Sequence, residues 1–185
     1  MIPPFEQKPF CEMTKADAET YFNWYIDEKD KRIKQLIDYA KSEGVSAPLD
    51  FSVDSLNPIW EWYVTKISYR EKSSDEIKEE AAKYPEWMHD FISQKTISYE
   101  TWMYGMDVAL YFAEVFIRNN GGKIYWGYFT KPKNRSGVNQ PTLLGFNHNL
   151  DLNPRTIVAN CTRTFYKEKN TRKLYDMYYI WLKDV

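Results

Sequence analysis

From Asp107 to Thr130 the chain reads DVALYFAEVFIRNNGGKIYWGYFT, and its hydrophobic period changes partway along. Up to Asn119, the residues Met103, Met106, Leu110, Ala113 and Ile117 recur at steps of three and four. That is the spacing of one helix face, and it predicts a helix over Ser98 to Asn119. Asn119, Asn120, Gly121 and Gly122 then supply a left-handed stop. Beyond the stop, Ile124, Trp126 and Tyr128 alternate with Tyr125, Gly127 and Phe129, both sets apolar or aromatic, which predicts a strand covered on both faces.

Working outward, the helical period fills most of what lies upstream. Thr14, with Asp17 three residues on, reads as the N-cap of a long helix to about Ser42, whose apolar face includes Phe22, Ile26, Ile33, Leu36, Ile37 and Ala40. Leu56, Ile59, Trp60, Tyr63, Val64 and Ile67 stripe a second helix. Ser73 to Glu76 is a capping box for a short charged helix, interrupted at Pro85. Downstream, strands are expected around 142–146 and 156–165, and Leu174, Met177, Tyr178 and Trp181 return to helical spacing. The reading is one α+β domain over 1–185: an extended leader at 1–13, a mainly helical layer of about four helices at 14–120, a small three-stranded antiparallel sheet at 121–166 and a closing helix at 168–184.

Composition narrows the function classes. The chain of 185 residues is long enough for a core without metal or disulfide staples, and 17% of it is aromatic. No run approaches the ~20 apolar residues of a membrane span, and the prolines and charges of MIPPFEQKPFCEM do not make a secretory h-region, so a cytoplasmic address with no membrane contact is expected. Cys11 and Cys161 stand far apart with no partner motif and are read as reduced thiols. The net charge of -1 conceals a split: residues 1–100 hold 20 acidic and 13 basic side chains, residues 101–185 hold 6 and 12. Such a split fits an anionic partner for one surface, or two halves that attract each other.

Familiar catalytic equipment is missing. The two histidines, His89 and His148, are not in ligand-spaced pairs, and there is no P-loop and no dinucleotide-binding fingerprint, so no metal and no cofactor are expected. Asp107, Tyr111, Glu114 and Arg118 form a polar stripe at steps of four, three and four. Asp107 and Glu114 fall two turns, about 10.5 Å, apart along the axis, a separation that would suit an inverting hydrolase. The stronger reading is pairing within a buried helix, Glu114 with Arg118 and Asp107 with a backbone amide or a basic residue of the sheet. Tyr125, Trp126 and Tyr128, followed by Lys131, Lys133 and Arg135, resemble a stacking surface beside a cationic loop, with Arg155 and Arg163 as further cations. The RNP1 pattern is absent and the rings fall on both faces of the strand, so core filling is favoured over nucleic-acid binding.

Together with LDFSVDSLNPIWEW and NQPTLLGF, the runs DVALYFAEVFIRNN and YWGYFTKPK make an order of segments that resembles a family of small uncharacterised bacterial proteins of Bacillus-like genomes. The resemblance covers about Thr14 to Phe146, its motifs concern packing, and it implies no activity. Small proteins of this style are similar in character to immunity proteins, which bind toxins. The expectation is a non-enzymatic protein acting through a protein partner, as an immunity-type inhibitor would; the alternatives are polyanion binding and a carboxylate hydrolase.

Overall fold

A computed structural model describes residues 2–185. It is α+β, with six α-helices and two separate two-stranded antiparallel sheets. In chain order the elements are α1 (Lys15–Ser42), α2 (Leu56–Val64), β1 (Tyr69–Glu71), α3 (Ser74–Ala81), β2 (Lys95–Ile97), α4 (Tyr99–Asn119), β3 (Tyr125–Gly127), β4 (Thr142–Leu144), α5 (Pro154–Glu168) and α6 (Lys173–Leu182). Short 3-10 turns occur at Phe10–Glu12, Glu86–Phe91 and Asn147–Asn149.

Local chemistry accounts for the helix starts. Both capping boxes form: the Thr14 side chain accepts from the Asp17 amide while the Asp17 carboxylate accepts from the Thr14 amide, and Ser73 and Glu76 do the same for α3. Ser98 caps α4 by accepting from Thr101 N. Gly121 and Gly122 at φ 57° and 80° make the left-handed exit from α4. The 21-residue α4 is the central element, packed against α1, α2 and α5, and every residue from Asp107 to Phe116 is buried. Aromatic rings supply much of the core: Phe116 meets Phe146 and Tyr178, and Trp60 meets Tyr63 and Phe165.

The three-stranded sheet expected over 121–166 does not form. Its third strand, around 156–165, is the helix α5. Asn153 caps it by accepting from the Arg155 and Thr156 amides, Pro154 sits at its start, and Val158, Cys161 and Thr162 are buried on the side facing the core. A trace of the third partner survives in a single bridge, where Leu143 and Leu152 exchange backbone hydrogen bonds of 2.8 and 3.0 Å. Nor is β3 covered on both faces, because Tyr125 is exposed. Within 14–120 the four helices α1–α4 are joined by one unforeseen strand pair, β1 with β2, Tyr69 opposite Ile97 and Glu71 opposite Lys95. The leader carries a 3-10 turn and is pinned to α1 by rings, Phe5 against Trp24 at 5.9 Å and Phe10 against Tyr21 at 5.0 Å.

Candidate functional site

The polar stripe of α4 is brought together with α1, not with a sheet. Asp107 is 4% exposed and Glu114 6%. The Arg32 guanidinium grips Asp107 with two donors, Nε to Oδ1 at 3.0 Å and Nη2 to Oδ2. Lys29 Nζ lies 3.1 Å from Glu114 Oε1 and also bonds Asp30. The earlier cation on α1 meets the later carboxylate on α4, so the two helices run antiparallel. Arg118 approaches Glu114 at 3.5 Å, the expected i, i+4 pair, and its guanidinium lies 3.6 Å from the Phe51 ring centre. Asp107 therefore pairs with a helix residue where a sheet residue or an amide was expected.

Burial pushes the Asp107 carboxyl up, against the pull of Arg32. Burial pulls the Lys29 ammonium down, but the Asp30 and Glu114 carboxylates outweigh it and hold it above its ordinary value. Tyr111 turns elsewhere. Its hydroxyl donates to Ser55 Oγ at 2.6 Å and accepts from the Phe51 amide at 3.2 Å, tying the loop before α2 to α4. Burial raises its pKa. Asp107 and Glu114 thus each sit against a cation, and neither lines the cleft between α4 and α5 or the clefts beside Glu43, Lys72 and Asp151. A hydrolase needs solvent and substrate at both carboxylates.

The rings of the aromatic hairpin are half-buried, apart from the exposed Tyr125. Trp126 packs edge-on against Tyr25 at 5.6 Å and points its indole N–H at Glu114 Oε1, 3.5 Å away. Tyr128 lies against Phe22 at 4.8 Å. Lys133 donates to the Met13 carbonyl, and Arg135 pairs with Asp151 while covering the Phe129 ring at 3.9 Å. Tyr125 and Lys131 are exposed. Cys11 and Cys161 are both free thiols, the first exposed and the second buried, with burial pushing Cys161 up to about 11.

Two surfaces were missed by reasoning from sequence. The first is the excursion between α2 and α4, where no residue of α3 or of the 3-10 turn Glu86–Phe91 is buried. Trp87 is 72% exposed and Phe91 79%, with Tyr69, Tyr84, Tyr99 and Met103 exposed as well. The stretch 74–91 is acidic in sequence, Asp75, Glu76, Glu79, Glu80, Glu86 and Asp90 against Lys78 and Lys83, but Arg70 pairs with Glu76 and Lys72 with Glu80, and over 65–98 seven acidic groups meet six basic ones. EWMHDFI carries Trp87/Phe91 and Met88/Ile92 at helical i, i+4 spacing, yet it forms only a 3-10 turn with no residue buried. The second is a cleft between α4 and α5, lined by Trp102, Met106, Gln140, Arg155, Ala159 and Arg163 among others, with a volume of about 330 Å³.

No helix among the described residues is long and apolar enough to cross a membrane. Compared with models of protein families, with curated proteins and with solved structures, the chain has no match.

Proposed function

We propose that this is a non-enzymatic cytoplasmic protein that acts by binding another protein, and that the excursion between α2 and α4 is its contact surface. The single observation that carries the reading is the exposure of the large rings Trp87 and Phe91. Large rings left in water are costly, and Trp and Tyr dominate the energetics of interfaces once covered. Glu79, Glu86 and Asp90, which have no cation partner among the described residues, favour a basic partner, so association should weaken as salt rises. A small binder of this kind has the character of an immunity-type inhibitor of a toxin, in line with the resemblance to small bacterial proteins.

Supporting arguments come from α4. Its two carboxylates are occupied by Arg32 and Lys29, which favours a structural role for the one constellation with catalytic spacing. Affinity capture from the native host, run in parallel with the wild-type chain and a Trp87→Ser/Phe91→Ser variant, tests the reading. A basic protein recovered in stoichiometric amount by the wild type and lost with the variant is expected. Equal recovery by both, or no protein above background, contradicts it.

A further inference from the structure

We propose that the cleft between α4 and α5 binds a small organic anion, a phosphate or carboxylate attached to a flat body, held between Arg155 and Arg163 with Trp102 as its stacking wall.

Three observations converge there. Charge is the first: the cleft lining contains two arginines and no acidic residue. Among the described residues Arg155, Arg163 and Arg172 have no carboxylate partner, whereas Arg32, Arg70, Arg118 and Arg135 all do, and only the first two line the cleft. Two unneutralised guanidiniums on one wall create a positive potential that a bound anion would relieve.

The second is an unmet hydrogen-bonding need. Arg155 Nη1 is shielded from solvent and has no acceptor, and the hydroxyl of Tyr25 is in the same condition. Arg155 adjoins this region of α1: its guanidinium interacts with the Tyr21 hydroxyl by charge and hydrogen bonding, its charge acts on Tyr25 as well, and it stands 5.6 Å from the Phe10 ring centre, while Nη1 is left without a partner. A buried guanidinium donor without an acceptor is unusual and unfavourable. An anion entering beside it would give that guanidinium its missing counter-charge.

Shape is the third. Arg155, Ala159 and Arg163 stand at i, i+4 and i+8 on α5, so they share one face and the arginine roots are about 12 Å apart along the axis. Ala159, the smallest of the three, leaves a floor between the two cations. Trp102 and Met106, one turn apart on α4, form the opposite wall, and Arg163 already lies 5.1 Å from the Trp102 ring centre. A volume of about 330 Å³ suits a molecule of one ring and one acidic group, not a polymer.

The test is calorimetric titration of the full chain with phenyl phosphate, inorganic phosphate and a 12-nucleotide oligothymidylate. Phenyl phosphate should saturate with a Kd below about 1 mM, and should bind roughly tenfold tighter than inorganic phosphate because of the stacked ring. Arg155→Met should weaken it tenfold or more. Because that change also touches a buried group, Ala159→Leu serves as the second variant: it fills the floor, keeps both arginines, and should also weaken binding at least tenfold while the far-UV spectrum and thermal midpoint are retained. Absence of saturation at 10 mM, or undiminished binding by Ala159→Leu, overturns the proposal. Binding of the oligonucleotide with none of phenyl phosphate also overturns it, in favour of an extended nucleic-acid surface.

Discussion

The hydroxyl of Tyr63 occupies the space that a side chain at Gly105 would need: a Cβ built there would lie 2.7 Å from the oxygen. Tyr63 is buried beneath α4, its hydroxyl bonded to Thr162 Oγ1 at 3.0 Å and donating to the Thr101 carbonyl at 3.3 Å. One residue without a side chain therefore lets α2, α4 and α5 meet at a single polar knot. Gly105→Ala would ordinarily stabilise a helix by up to ~1 kcal/mol. Here the clash reverses the sign, and a net loss of ~1–2 kcal/mol is expected by chemical denaturation. Tyr63→Phe removes the obstructing oxygen, so the Gly105→Ala/Tyr63→Phe double variant should lose clearly less than the sum of the single changes.

Asn139 anchors the leader. It is buried, sits at φ 62°, donates through Nδ2 to the Phe10 carbonyl at 2.6 Å and the Met13 carbonyl at 3.3 Å, and donates its amide to the Phe129 carbonyl. Asn139→Ala removes two side-chain hydrogen bonds and forces a left-handed conformation that alanine disfavours. A loss of ~2–4 kcal/mol is expected. Hydrogen exchange should show protection falling first at Glu12 and Met13, whose amides close the leader's 3-10 turn.

Acid should destabilise the fold at the two capping boxes. Backbone and side-chain hydrogen bonds from Thr14, with Lys8, hold Asp17 down at about 2 from an ordinary 3.8. Arg70 and the Ser73 amide hold Glu76 at about 2 from 4.5. Both folded-state values are depressed, so their stabilisation is present in full above about pH 4.5 and is lost as pH falls toward 2. Thermal midpoints measured across that window should fall with acid in the wild type. Asp17→Asn/Glu76→Gln should start lower at neutral pH and show a flatter decline.

How much was legible in the sequence follows from the range of the forces involved. The α1 cap at Thr14, the α3 cap at Ser73 and the stop at Gly121 are encoded within a few residues, and all three were readable. The α5 helix was not, because Thr156, Ile157, Val158, Thr162 and Thr164 favour strands, while the Asn153-Pro154 start and contact with α4 decide for a helix. That difference matters for the cleft. As a strand, residues 155 and 163 would be ~26 Å apart, and as a helix about 12 Å. The three-residue strands β1 and β2 are too short to show any period. Spacing singled out Asp107 and Glu114, but their partners Arg32 and Lys29 lie on a helix 75 or more positions earlier, on a face that reads as solvated.

The central claim is that the carboxylates of α4 hold two helices together and are not held ready for chemistry. Its most direct measurement is a double-mutant cycle on Arg32 and Asp107, read by denaturant unfolding. Arg32→Met strands a buried carboxylate and should cost ~3 kcal/mol, whereas Asp107→Leu leaves an arginine that can reach water and should cost ~1 kcal/mol. The double variant should return to within ~1 kcal/mol of the wild type, giving a coupling of at least ~3 kcal/mol. Strictly additive losses, or an Arg32→Met variant as stable as the wild type, would contradict the account.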